Sequence, residues 1–163
     1  MKNVILIVAC IAFSIITQAQ LKTTPICPTI SVDLLDGKVN ELLINSNVAQ
    51  IKGKLPCFTS AEDESATAKC GGGVFYKDKD IYFYTSRDYI EIGPKFKGKL
   101  SIPLMGANRK GLFKWLGLPK IKDVNWDAFE TSYGILITYY DKAGKIIKIQ
   151  ISNQSADTIK LCE

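Results

Sequence analysis

Residues 70–73 read Cys-Gly-Gly-Gly, a thiol running into three glycines. A glycine run can turn successive backbone amides toward an anion, and a thiolate beside it would be a nucleophile. The spacing is not that of a phosphate-binding loop, because no Gly-Lys-Ser or Gly-Lys-Thr follows. The structural reading is that glycines let a strand start beside a disulfide without side-chain clash, and an oxidising compartment favours it. The chain contains no histidine. Ser–His–Asp and Cys–His catalysis are therefore excluded, as are histidine-dependent metal sites. Two carboxylate pairs, Asp88 with Glu91 and Asp127 with Glu130, have the residue types a glycosidase uses. Nothing in their surroundings announces the apolar pocket that would raise the pKa of one member.

Two further groups suit binding rather than catalysis. Residues 93–122 hold eight basic residues, Lys95, Lys97, Lys99, Arg109, Lys110, Lys114, Lys120 and Lys122, and no acidic one. Such a stretch is either a solvated face or a contact for an acidic protein or an anionic headgroup. Leu112, Phe113, Trp115 and Leu116 lie inside it at helical spacing and are expected in the core. Tyr76, Tyr82, Tyr84 and Tyr89 follow the glycine run. Alternate tyrosines on a sheet face give stiff contact area for a protein partner, or simply cover a small sheet. The candidate binding residues are Tyr82, Tyr84, Arg87, Asp88, Tyr89, Lys97, Lys99, Arg109 and Lys110. No metal or cofactor is expected, and no catalytic residue is assigned.

The elements that must position these groups begin after a leader-like segment. Lys2 precedes an almost wholly apolar run at 4–16, and Thr17 and Ala19 fit the small-residue positions of a signal-peptidase site. Residues 1–19 are expected to be removed, leaving one exported domain, 20–163, in the periplasm or secreted. A rival reading makes Cys10 in "IVAC" a lipidation site. The formal net charge is +5. Beyond the leader four cysteines remain, Cys27, Cys57, Cys70 and Cys162. An even number in an exported chain suggests two disulfides. Of three connectivities, Cys57–Cys70, closing a short acidic loop, and Cys27–Cys162, tying the ends, are favoured.

Within the domain, Asp36–Gly37 reads as a turn between short strands, and Ser46 or Asn47 as the cap of a helix with Val48, Ile51 and Leu55 on one face. Residues 59–69 read as an acidic loop, followed by antiparallel strands at 73–76, 81–85 and 89–92. Residues 93–103 read as an irregular crossing. A second short helix starts at Asn108 and ends at Gly117, with Pro119 preventing continuation. A loop holding Trp126 and Phe129 leads to a hairpin, "YGILITYY" and "KIIKIQIS" around "DKAG". In its second arm Ile147, Ile149 and Ile151 alternate with Lys148 and Gln150, so one face is buried and the other wet. Residues 158–162 read as a last edge strand. The expected class is α+β: two similar helix-then-antiparallel-strand units, about 30–92 and 93–163, with helices packed on antiparallel sheet.

The helix stop "LGLP" followed by the hairpin "ILITYYDKAGKIIKIQIS" resembles the repeat unit of outer-membrane lipoproteins of the BamE type. Tandem copies resemble the β-lactamase inhibitor protein fold. The similarity is strongest over 104–151 and weaker over 42–92. The leader and the lysine- and isoleucine-rich composition resemble those of exported Bacteroidota proteins. The resemblance implies non-enzymatic work: an inhibitor or immunity protein that grips a toxin or envelope enzyme, or an envelope assembly accessory. A carboxylate-dependent cell-wall hydrolase is the further alternative. A protein partner is expected, with neither nucleic acid nor membrane anchoring.

Overall fold

A computed structural model describes residues 24–62 and 71–159. The leader, the Cys10 alternative, Cys70, Cys162 and the end of the 158–162 strand lie outside them. The described residues are mostly β, with twelve strands in two sheets and two short α-helices. The α+β expectation of helix-then-strand units packed on a sheet is thereby overturned.

The small sheet holds β1 (Ser31–Asp33), β2 (Lys38–Val39), β3 (Leu42–Leu43) and β8 (Lys99–Leu100), in the order β3-β2-β1-β8. The Asp36–Gly37 turn joins β1 to antiparallel β2, and Gly37 has φ of 64°. β8 joins β1 in parallel, so the 93–103 stretch supplies a strand and is not merely a crossing. Helix α1 (Val48–Lys54) has a full capping box: the Asn47 side chain accepts from the Gln50 amide, and the Gln50 side chain accepts from the Asn47 amide. Ile51 and Leu55 are buried from it.

The large sheet holds β4 (Ser60–Glu62), β5 (Gly73–Tyr76), β6 (Ile81–Tyr84), β7 (Tyr89–Ile92), β9 (Ile121–Lys122), β10 (Trp126–Thr131), β11 (Gly134–Tyr140) and β12 (Ile146–Ser152). Its order is β4-β5-β6-β7-β12-β11-β10-β9. Two antiparallel meanders therefore meet at the β7–β12 pair and share one continuous ladder. Two segments that read as loops are strands. Ser60–Glu62 pairs with β5, and Trp126–Thr131 is the central partner of β9 and β11. Both contain polar residues in place of a strict alternation, and cross-strand pairing overrides that weak local signal. Residues 158–159 are not in a strand.

One face of the large sheet carries the main core. Val74, Tyr76, Ile81, Phe83, Ile90, Ile92, Leu136, Ile149 and Ile151 pack there against Val32, Leu34, Val39, Ile51 and Leu55 from the small sheet and α1. On the opposite face Ala128, Ile135, Ile137 and Tyr139 pack with Ala156. A register shift between Tyr139 and Tyr140 sets Ile146 opposite Tyr140. Ile146 is consequently buried while Ile147 is 41% exposed. The face expected to be wet is not: Gln150 is buried there, its amide donating to Glu91 at 2.8 Å and its carbonyl accepting from Tyr139 Oη at 2.8 Å.

Cys27 is bonded to Cys57, with their Cα atoms 5.5 Å apart. Both favoured pairings, Cys57–Cys70 and Cys27–Cys162, are thus corrected. The reason is the register of the unforeseen β4. With Ser60 opposite Phe75, Cys57 runs beyond the Tyr76 end of β5, whereas Gly71 leads into the opposite, Gly73 end of that strand. Leu55 closes α1, and Pro56 then leads Cys57 to the N-terminal arm, where both sulfurs lie 3.9 Å from the Pro25 carbonyl. The disulfide is compatible with an oxidising compartment. No described helix is long and apolar enough to cross a membrane.

Candidate functional site

The segment between β8 and β10 carries five of the eight residues of the basic stretch, Arg109, Lys110, Lys114, Lys120 and Lys122, and its local structure decides what they can do. Asn108 accepts from the Lys110 amide and starts a single 3₁₀ turn at Arg109–Gly111. Helix α2 (Phe113–Leu116) follows and ends at Gly117, with φ of 71°. Helical spacing read over the whole segment places Leu112, Phe113, Trp115 and Leu116 on a core face. One 3₁₀ turn and one α turn cannot sustain that face. Leu112 is buried, but Phe113 is 66% and Trp115 37% exposed. Leu118 at 79% and Val124 at 82% are more exposed still. The core expectation fails for Phe113 and Trp115.

Arg109 holds this segment to the sheet. Its Nε donates to Asp127 Oδ2 at 2.9 Å and its Nη2 to Asp127 Oδ1 at 2.5 Å. Nη2 also donates to the Asp123 carbonyl at 2.6 Å, and Nη1 to the Val124 carbonyl at 3.0 Å. Four of the five guanidinium N–H groups are thereby engaged. Asp127 is buried on β10 and also accepts from Tyr140 Oη at 2.8 Å, while the guanidinium lies 4.6 Å over the Tyr140 ring. Hydrogen bonding to Asp127 raises the Arg109 pKa further, against a smaller opposing effect of burial. Burial pushes the Tyr140 phenol up as well. Arg109 is thus an anchor and not a free cation for a ligand. Asp127 is its partner, whereas Glu130 is exposed and paired with Lys120 at 3.4 Å. Three positions apart on one strand, the two carboxylates leave opposite faces, so they do not form a catalytic pair.

An open groove of about 300 Å³ lies above this anchor. Phe113, Leu118 and Pro119 line it together with Lys110 and Lys122. Both lysines are exposed, and neither is in an ion pair among the described residues. Lys114 lies beside the groove, its Nζ 4.1 Å over the Trp115 ring.

The other expected binding residues lie elsewhere. Lys97 and Lys99 are exposed but lie away from the groove: Lys99 is in β8 of the small sheet, and the Lys97 amide donates to the Lys79 carbonyl, in the β5–β6 turn, at 3.0 Å. The basic stretch is therefore divided by the fold. The tyrosines divide too. Tyr76 enters the core and donates to the Leu55 carbonyl at 2.5 Å. Tyr82, Tyr84 and Tyr89 occupy the opposite face with Phe75, and Tyr84 stacks on Tyr89 with ring centroids 4.6 Å apart. Tyr89 is buried and the other two are half-buried. Burial first, and the Glu91 charge second, push the Tyr84 phenol up to about 12. Arg87 and Asp88 lie at the end of this ladder as chain connectors. The Arg87 carbonyl accepts from Gln154, and the Asp88 carbonyl from Ser152 Oγ. Glu91 is held by Gln150 and by Lys148 at 3.5 Å, so it too is committed.

The glycine run is explained by close approach. A side chain at Gly73 would strike the Phe83 carbonyl, and one at Gly71, with φ of 74°, would strike Ser86 Oγ. These glycines admit the β5–β6 pairing, and no anion is needed to account for them. Among the described residues no cluster of cysteine, aspartate and glutamate side chains could hold a metal ion. In comparisons with known proteins, no family model, curated protein or solved structure matches this chain.

Proposed function

We propose that this chain is an exported, non-enzymatic protein-binding protein of the inhibitor or immunity type, and that its contact surface is the groove rim at residues 110–122. One observation carries the reading. Phe113 and Leu118 are 66% and 79% exposed in a stretch that has four lysines, Lys110, Lys114, Lys120 and Lys122, and no acidic residue. Scattered exposed apolar residues are ordinary, but large ones lining a groove mark contact sites. A rigid scaffold lowers the ordering cost of binding, and the Arg109–Asp127–Tyr140 knot beneath the groove supplies it. The Cys27–Cys57 disulfide and the leader-like residues 1–19 support action outside the cytoplasm.

The test is capture of envelope and secreted proteins of the producing cell by the full chain, by F113S/L118S, and by Y82S as a control away from the groove. A partner lost with the double variant and kept with Y82S is expected. A partner kept by F113S/L118S would move the contact surface elsewhere. Absence of any partner together with hydrolysis of cell-wall glycan would refute the reading entirely.

A further inference from the structure

We infer that the groove receives a short acidic peptide segment, one apolar side chain seated between flanking carboxylates. This rests on the reading of the 110–122 rim as a contact surface and names its occupant. Three observations carry it. First, the site is concave: Phe113 and Leu118 both line an open depression of about 300 Å³. That volume is at the small end of ligand cavities, suited to a single protruding side chain. A flat lipid surface does not enter a depression, whereas a side chain does. Second, the lining combines two chemistries: apolar Phe113, Leu118 and Pro119 share it with the exposed lysines Lys110 and Lys122, so an apolar anchor with acidic neighbours is the complementary pattern.

Third, the one acid in the groove lining does not oppose such a ligand. Asp127 is buried and its two oxygens accept from Arg109 and Tyr140, leaving a neutral pair in a lining shared with Lys110 and Lys122. The nearest following acid in the chain, Asp123, is turned onto the Val124 amide. Exposed lysines are weakly coordinating on their own. Their contribution here is to select the sign of the ligand and to speed encounter, while Phe113 and Leu118 supply the contact area.

Two synthetic dodecapeptides test this with the full oxidised chain. One has a central Leu-Phe flanked by aspartate and glutamate; the other replaces each acid with lysine. Backbone amide shifts are followed by NMR. The acidic peptide should move the amides of residues 110–122 saturably, with a Kd on the order of a hundred micromolar, and the basic peptide should bind at least about tenfold more weakly. F113S and K110E/K122E should each weaken the acidic peptide about tenfold, and these surface substitutions should leave the fold intact. Equal binding of both peptides would overturn the inference. So would shifts confined to Tyr82, Tyr84 and Tyr89, or binding to vesicles of anionic lipid with neither peptide bound. Partner capture that still needs Phe113, with no peptide binding, would sink the peptide and leave the proposed function standing.

Discussion

Replacing Asp127 with Ala should be costly, because it breaks a buried ion pair. Its carboxylate receives three hydrogen bonds, two from Arg109 and one from Tyr140 Oη, and its side chain is 4% exposed. Breaking a fully buried ion pair costs about 3–5 kcal/mol, because the partner charge stays behind without compensation. The Arg109 side chain is 24% exposed, so water recovers part of that loss. The lower end of the range, about 3 kcal/mol, is therefore expected for D127A. At a urea m-value of about 2 kcal/mol/M the unfolding midpoint should fall by about 1.5 M. D127N keeps the shape and one acceptor but loses the charge, and should cost about half as much.

R109K tests the other side of the pair. A lysine keeps the charge, but one ammonium cannot serve Asp127 and the carbonyls of Asp123 and Val124 together. It should cost about 1–2 kcal/mol and loosen the 123–125 turn in hydrogen exchange. The double variant R109M/D127L replaces the pair with apolar groups of similar length and should recover most of the D127A loss. Urea unfolding of the four variants beside the parent, followed by near-ultraviolet dichroism, is the assay. If D127A lies within about 0.5 kcal/mol of the parent, or R109M/D127L is no more stable than D127A, the anchor does not hold the segment as argued.

Three other expectations follow from the same geometry. Non-reducing peptide mapping should return a Cys27–Cys57 peptide, and C57S should lose about 3–4 kcal/mol for a bridge whose ends are 30 residues apart; recovery of Cys57 joined to Cys70 would contradict the fold at β4. G73A should cost about 2–3 kcal/mol, because its methyl meets the fixed Phe83 carbonyl, whereas G144A, with φ of 73° and open space around it, should cost only about 1 kcal/mol; equal thermal shifts in the two variants would refute the close-approach account. The folded state holds the Tyr84 phenol protonated up to about 12, and burial raises Tyr76, Tyr89, Tyr133 and Tyr140 as well. Their stabilising contribution is complete below the ordinary tyrosine pKa of about 10 and is lost as pH rises toward the folded values. Thermal stability should accordingly fall above about pH 10, and phenolate absorbance should appear together with unfolding; free titration of all tyrosines near pH 10 in the folded protein would refute it.

Local pattern carried far where strands are regular. The 73–76, 81–85 and 89–92 assignments, and both arms of the hairpin at 133–152, agree with β5, β6, β7, β11 and β12 to within a residue or so. The Asn47 cap was equally legible, because a capping box is written in adjacent residues. What escaped was information held between distant segments. The Ser60–Glu62 strand has no alternation of its own and exists because β5 pairs with it. Missing it misdirected the cysteine pairing, since a loop closed by Cys57 and Cys70 is only attractive if 59–69 is a loop. Similarly, Asp127 looked like half of a carboxylate pair with Glu130 because spacing alone hides which sheet face each residue leaves from. An Arg109 partner 18 residues away has no local signature.

The basic stretch shows the same limit from the functional side. Eight positive charges and no negative one in residues 93–122 look like a single patch when counted along the chain. In the fold, Lys99 is in the small sheet, the backbone amides of Lys95 and Lys97 are bonded to the β5–β6 turn at Asp80 and Lys79, Arg109 is consumed by Asp127, and Lys120 pairs with Glu130. Only Lys110, Lys114 and Lys122 remain beside the groove. The apolar residues moved in the opposite direction: Phe113, expected inside, is outside. Both changes have one cause. Between Gly106 and Gly117 the chain turns too tightly for a helix long enough to own a buried face, so Leu112 alone is fully buried, with Ala107 and Leu116 only partly buried against the core. On the proposed reading, Phe113 and Leu118 beside Lys110 and Lys122 would be covered by a partner, and the Arg109–Asp127 anchor would hold that surface in one shape.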